Sequence, residues 1–389
     1  GKETDYGISI YTDFIGSLDD IDHKLNEAHE IGYTEVFTSL ELNELGFENT
    51  VSGVTEKTKH LLNESKKLGI TVHTDVNRNV LESLDVEPGN LSFIRELGIP
   101  VLRIDGGYDA EEIALMTQNP YQIMIEDNLS DCMQYKKNLE CVLKKGNIKQ
   151  YCACHNFYPK PNTGLSLRQV CDIARYAKHN SCRTSVFIGS DACDHRLCKN
   201  GHGVLTVEEL RWIPANIQAE ILRAENCFDC IIFGDADPSA DEMKSVAVKN
   251  HCVSELMNKN IQTSISDDRM CGPDDYVIDI PVYWENIDDA IVKRIQSNIC
   301  INRMDSPEMM IRSTNTRGIF EIKPALTVRQ KPGTITMTNI LAGHYKGEIN
   351  IALTDIDSDE TENCIGIIKP YAMKLLKYVS EQNQPFRLV

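Results

Sequence analysis

The sequence predicts an α/β protein in which a (β/α)8 TIM barrel is followed by a smaller β-rich domain. Three observations carry this expectation. Short, β-branched apolar runs alternate with helix-patterned stretches through the first two-thirds of the chain. The starts of successive runs lie 21 to 46 residues apart, room for a strand, a helix and two loops each. After about residue 260 that rhythm stops, and strand-like runs separated by polar turns take over.

The eight runs begin near Tyr6 (YGISIYT), Glu35 (EVFTSL), Thr71 (TVHTDV), Val101 (VLRID), Gln122 (QIMIED), Tyr151 (YCACHN), Arg183 (RTSVFIG) and Asp229 (DCIIFGDA). Helical patterns fill the gaps, for example over 17–31, 55–68, 166–179 and 215–225. Strands that alternate with helices pair in parallel, because a parallel partner is reached only through a crossover. Eight such units in roughly 250 residues match a closed barrel in number and size. An open doubly wound sheet usually has a glycine-rich first turn, and Tyr11-Thr12-Asp13-Phe14-Ile15-Gly16 is not one. The polar strings Ser264-Ile265-Ser266-Asp267-Asp268 and Cys271-Gly272-Pro273-Asp274-Asp275 mark a boundary, giving a barrel over 1–262 and a β domain over 270–389. In the second domain, strands are expected over 276–283, 309–316, 334–340, 348–354 and 365–368, and helices over 288–296 and 371–380.

Charge narrows the function classes. Forty basic against 58 acidic residues leave a net charge of −18, with no basic run. That balance argues against nucleic-acid or anionic-membrane partners, which require concentrated Lys and Arg. No apolar run approaches the roughly 18 residues of a membrane span, and the first residues lack a secretory pattern. Many of the 14 cysteines fall in apolar runs such as Tyr151-Cys152-Ala153-Cys154. There a thiol behaves as a small hydrophobe, so a reducing, cytoplasmic setting is expected.

In a (β/α)8 barrel, polar residues at the C-terminal strand ends face the active-site mouth. Glu41, Asp75, Asn77, Asp105, Glu126, Asp127, Asn128, His155, Asn156, Asp235 and Asp237 occupy such places. Each also suits the cap of the following helix. Asp105 and Glu126, on neighbouring strands, make the minimum pair for glycoside hydrolysis: one carboxyl donates a proton and the other supports the oxocarbenium-like centre. Carboxylate pairs also hold divalent metals, and spacing does not separate the two uses. Gly106-Gly107 leaves the backbone open to a ligand. Cys154-His155-Asn156-Phe157-Tyr158-Pro159 reads as a sugar-binding surface or as a structural histidine among aromatics. Cys193, His195, Cys198 and His202 share one loop, but their spacing matches no paired zinc pattern, and a substrate-covering loop is the expectation. In the second domain, Ile311-Arg312-Ser313-Thr314-Asn315-Thr316-Arg317 and Gly343-His344-Tyr345-Lys346-Gly347-Glu348 offer donors for phosphate or carboxylate.

These strings resemble a known family. Gly7-Ile8-Ser9-Ile10-Tyr11, Arg103-Ile104-Asp105-Gly106-Gly107-Tyr108, Asn119-Pro120-Tyr121 and Glu126-Asp127-Asn128-Leu129-Ser130 are similar to the bacterial 6-phospho-N-acetylmuramidases. So are Cys154-His155-Asn156-Phe157-Tyr158-Pro159 with Thr163-Gly164-Leu165-Ser166, Ile311-Arg312-Ser313-Thr314 and Tyr345-Lys346-Gly347-Glu348. The resemblance runs from about residue 6 to the C-terminus. It implies a barrel followed by a cyclophilin-like domain, and a cytoplasmic role in recycling cell-wall sugars. The implied reaction cleaves N-acetylmuramic acid 6-phosphate from N-acetylglucosamine in a phosphorylated disaccharide. Gly106 stands where the family often has an acidic residue, Asp127-Asn128 where Leu-Asn is commoner, and the 191–204 loop is peculiar to this chain.

The expectation is therefore a glycosidase acting on a phosphorylated amino-sugar disaccharide, with Asp105 and Glu126 as the carboxylate pair and neither cofactor nor metal. Asp75, Asn128, His155 and Asn156 would bind substrate in the barrel. Arg312, with Ser313, Thr314 and Lys346, would hold the phosphate or lactyl carboxylate, the second domain closing over the barrel mouth. Two rivals remain: a non-catalytic phosphosugar-binding or regulatory protein, and a metal-dependent barrel hydrolase using Asp75, Asp105, Glu126 and His155.

Overall fold

The computed structural model describes residues 3–40, 56–104, 106–192, 203–259, 271–325 and 327–389. They form two compact units, Lys2–Val248 and Lys249–Val389. In the first, eight parallel strands close on themselves in sequence order: β1 (Asp5–Ser9), β2 (Glu35–Ser39), β3 (Thr71–Val76), β4 (Val101–Ile104), β5 (Met124–Asn128), β6 (Tyr151–Cys154), β7 (Arg183–Ile188) and β8 (Cys230–Phe233). Closure is made by β1, which pairs β2 on one side and β8 on the other.

The helices form where period and caps agree. In α1 (Leu18–Ile31), the Ser17 side chain accepts the Asp20 N–H, and Gly32 ends the helix at φ 106°, a left-handed turn that favours glycine. The helix Leu167–His179 starts on the Ser166 cap and buries Leu167, Val170, Cys171, Ile173, Ala174 and Ala177. That spacing of three and four is one helix face, laid on the barrel wall. Within the barrel, Tyr11, Phe37, Cys154, Phe187, Cys230 and Ile232 pack as one apolar cluster.

The second unit contains a five-stranded antiparallel sheet in the order β10 (Val282–Trp284), β14 (Glu362–Ile368), β12 (Thr334–Thr338), β13 (Ile349–Ala352), β11 (Met310–Ser313). A two-stranded parallel ribbon joins β9 (Ile278–Ile280) to β15 (Phe386–Leu388). The run expected over 276–283 is split at Pro281, which lacks the N–H a continuous ladder needs. The short helix over Val253–Asn258 belongs to this unit: Val253 and Leu256 pack with Val277 and Ile299. The boundary accordingly lies nearer residue 248 than 262.

All twelve described cysteines are free, and eight are buried. Among the described residues, no helix is long and apolar enough to cross a membrane.

Candidate active site

Strand alternation sends every second residue of each barrel strand inward. Five charged side chains thereby meet inside the barrel: Glu35 (β2), His73 (β3), Arg103 (β4), Glu126 (β5) and Arg183 (β7). Register lines up their neighbours, with Asp75 opposite Arg103, Arg103 opposite Glu126, Glu126 opposite Cys152 and Cys152 opposite Arg183.

The contacts alternate in sign along one path. Arg183 Nη2 lies 2.9 Å from Asp5 Oδ2 and 2.6 Å from Glu35 Oε2. His73 bridges two carboxylates, Nε2 lying 2.8 Å from Glu35 Oε1 and Nδ1 2.6 Å from Glu126 Oε2. The other Glu126 oxygen is 3.8 Å from Arg103 Nη1, and Arg103 Nε is 3.5 Å from Asp75 Oδ1. Arg103 also donates from Nη1 to the Cys154 carbonyl at 2.8 Å and from Nη2 to Asn156 Oδ1 at 2.6 Å.

Geometry sets the protonation of this ladder. A neutral imidazole donates from one nitrogen only, so a ring held between two carboxylates is stable as imidazolium. Burial alone would strip the proton from His73, but the charges and hydrogen bonds of Glu126 and Glu35 outweigh it, pushing the ring up to about 10. Burial opposes ionisation of Glu35, yet His73 and Arg183 bring its carboxyl down to about 2. Glu126 moves the same way: burial raises it, His73 and Arg103 more than reverse that, and the carboxyl stays below its usual range. At 1% exposure, Glu126 is a sealed anion rather than a proton donor.

Asp75 and Asn156 stand at the mouth side of Arg103, and Asp75 keeps a side-chain exposure of 13%. Asn128 Oδ1 accepts the Ser130 N–H at 2.8 Å, folding the turn after β5. Behind β4, Gly106 and Gly107 take φ values of 76° and 85°, two successive left-handed positions that explain the glycine pair. His155 points to the helical layer instead. Its Nε2–H donates to the Val170 carbonyl at 3.0 Å, and its Nδ1 accepts from Ser130 Oγ at 2.8 Å. Burial holds this ring neutral, down to about 3. Ser130 Oγ in turn accepts the Asn156 N–H at 2.8 Å, so His155 fixes the loop that carries Asn156.

The second unit holds a cationic cluster around one buried carboxylate. Arg312 Nε donates to Glu348 Oε1 at 2.7 Å, and Arg317 Nε donates to Oε2 at 2.7 Å. Both guanidinium groups lie over the Tyr345 ring, at 5.9 and 4.6 Å from its centre. Glu348 is 1% exposed, while the arginines keep side-chain exposures of 22% and 25%. Two cations on one carboxylate leave a local charge of +1, on side chains that are partly exposed.

The family model described as "6-phospho-N-acetylmuramidase, N-terminal" matches residues 6–248, and "6-phospho-N-acetylmuramidase, C-terminal" matches residues 278–389. The chain belongs to the 6-phospho-N-acetylmuramidase family. It is thus a glycosidase, and the family's named activity is that of a 6-phospho-N-acetylmuramidase. An uncharacterized B. cereus protein of known crystal structure is 27% identical, with a TM-score of 0.81, covering 100% of this chain and 99% of its own. A conserved Enterococcus faecalis protein of unknown function, 22% identical, gives a TM-score of 0.69 over 99% of this chain and 96% of its own, which supports the fold alone. No curated protein sequence matches the chain.

Against this muramidase architecture, the residues expected from sequence separate into groups. Asp75, Glu126 and Asn156 converge on Arg103. Glu126 lies inside β5, as its third residue, and not beyond the strand end as the sequence run suggested. Asp127 faces the helices, bonded to Tyr151 and Asn138. Ser313 is fully buried on Asn315, whereas Lys346 lies 3.5 Å from Glu321 at the surface. Asp105, Glu41 and the loop bearing Cys193, His195, Cys198 and His202 lie outside the described residues. Sequence reasoning missed Glu35, His73, Arg103 and Arg183. A signal existed: His73 and Arg103 each precede an expected mouth residue by two positions, which puts them on the same inward face.

Proposed function

We propose that this muramidase hydrolyses the bond between N-acetylmuramic acid 6-phosphate and N-acetylglucosamine in a phosphorylated disaccharide, a step of cytoplasmic cell-wall sugar recycling in a bacterium. The observation that carries this reading, alongside the family's named activity, is the Arg103 cluster beneath the barrel mouth, with Asp75 and Asn156 on its outer side. Glycoside hydrolysis needs one proton donor and one negative carboxylate. We assign the negative charge that supports the oxocarbenium-like centre to Asp75, and proton donation to Asp105. Glu126, expected as the partner of Asp105, is buried and ionised one layer below, and it acts through Arg103. Asn156 and Asn128 orient hydroxyls or the acetamido group.

The second unit, read as a cyclophilin-like domain, presents Arg312 and Arg317, both steadied by Glu348, as a pair suited to an anionic group. A guanidinium fork suits phosphate and the lactyl carboxylate alike. The test is release of N-acetylglucosamine by the wild-type protein from the 6-phospho disaccharide and from its unphosphorylated twin. No release from either overturns the assignment, and equal release from both overturns the phosphate reading.

A further inference from the structure

We propose that Glu126 and His73 are positioning residues of this reaction: their buried ion pair, anchored by Glu35, holds the Arg103 guanidinium in the orientation that presents Asp75 and Asn156 at the barrel mouth. The inference rests on the reading above, in which the chemistry occurs beside Asp75.

Four features of the fold support it. First, Arg103 is 2% exposed and engages four partners at once: Asp75, Glu126, the Cys154 carbonyl and Asn156. A flexible side chain directed at four points has one orientation left to it. Second, the positive charge needs Glu126 beneath it. With Glu126 present, the guanidinium charge is shared between two carboxylates; without it, Asp75 is left as the one carboxylate of the four named partners and carries more of that charge. Third, Glu126 is itself fixed by His73, whose two nitrogens are both committed to carboxylates. Fourth, the charges form one connected path, from Asp5, Glu35 and Arg183 at the first residues of β1, β2 and β7 up to Asp75 near the end of β3. The remaining interior is apolar, with Tyr11, Phe37, Cys154, Phe187, Cys230 and Ile232 packed together. Buried ion pairs are commonly no more stabilising than apolar side chains of the same volume, so packing alone gives no reason for a ladder here. Its place directly under the polar mouth residues does give one.

The groups that set the state of His73 are Glu35 on β2, Arg103 on β4, Glu126 and the Cys152 thiol on β5 and β6, Arg183 on β7, and Asp75 on its own strand. Of these, Glu126 and Glu35 touch the ring. Removing one of them leaves a histidine that loses its second proton at lower pH, and that change reaches the mouth through Arg103.

The experiment uses full-length Glu126→Gln, Glu126→Asp and Glu126→Ala with the 6-phospho disaccharide, over roughly pH 5 to 9, the range in which histidine titrates. For Glu126→Gln, the expected result is a fall of about 10- to 300-fold in kcat with KM changed less than about threefold, as for an interaction felt mainly in the transition state. A new alkaline limb should appear in its pH–rate profile, and Glu126→Asp should recover part of the rate. A rate and profile equal to wild type would overturn the proposal. So would a loss beyond about 10,000-fold in Glu126→Ala that azide or formate restores, because rescue by a small nucleophile marks a carboxylate that touches the anomeric carbon. If the variants do not fold, 15N NMR of histidine-labelled wild-type protein decides: His73 protonated on both ring nitrogens near pH 8 supports the ladder, and a singly protonated ring contradicts it. This last measurement is independent of turnover. A wild-type protein without hydrolase activity would remove the functional reading while the state of His73 still judges the ladder.

Discussion

Replacing Arg312 by alanine tests anion recognition at the residue where structure and chemistry meet. Arg312 shares Glu348 with Arg317, so its removal leaves that buried carboxylate with a partner 2.7 Å away. Because Glu348 is not orphaned, the usual penalty of about 3–5 kcal/mol for breaking a buried pair should not apply in full. The domain is expected to fold. What is lost is a guanidinium edge able to make one or two charge-assisted bonds, worth about 1.5–3 kcal/mol each. At about 1.4 kcal/mol per tenfold, kcat/KM for the phosphorylated disaccharide should fall by about 10- to 1,000-fold. Arg312→Lys, which keeps the charge but not the planar fork, should fall less. The assay is initial-rate release of N-acetylglucosamine, run in parallel on both disaccharides, with thermal melting as a control for folding. If the unphosphorylated substrate loses as much as the phosphorylated one, with folding intact, Arg312 does not read the phosphate or lactyl anion selectively and the reasoning fails.

Two further expectations follow from the barrel. Asp75→Asn should lower kcat by at least about 1,000-fold with a near-normal KM, the scale on which removal of a carboxylate acting in the transition state is felt; activity within tenfold of wild type in steady-state kinetics would remove Asp75 from the pair. The ladder also makes stability depend on pH in a stated direction. His73 is raised to about 10, so its contribution is complete below the unfolded value near 6.5 and is lost as pH climbs toward 10. Glu35 is lowered to about 2, so its contribution is complete above an unfolded value of about 4.3–4.5 and is lost as pH falls toward 2. Melting temperature should therefore be highest between about pH 4.5 and 6.5, and a melting temperature that keeps rising from pH 6.5 to 9 would contradict the charged ladder.

The barrel was readable because each β-branched run is short and each gap is filled by a capped, periodic helix. Each of the eight expected runs overlaps a strand, and the helix expected over 17–31 is found as Leu18–Ile31. The site was less readable, for a reason of two residues. The run beginning at Gln122 put Glu126 at the strand end, whereas β5 starts at Met124 and continues two residues past it to Asn128. A shift of that size moves a carboxylate from the mouth to the layer beneath. His155 shows the same sensitivity: one position past β6, its ring turns to the helices and meets Ser130 and Val170. The ladder was hidden because charged residues within a strand do not declare their partners, and Glu35, His73 and Glu126 come from three separate runs. In the second unit, the sequence brought two arginine-bearing strings to notice, but not that Glu348, at the end of one string, gathers both arginines of the other.

The most direct test of the account is the ratio of kcat/KM values for the 6-phospho disaccharide and its unphosphorylated twin, measured with the wild-type protein. The account predicts hydrolysis with a ratio of at least about 10 in favour of the phosphorylated substrate, the contribution of one charge-assisted bond. A ratio near one would contradict it, as would the absence of any hydrolysis of the phosphorylated disaccharide.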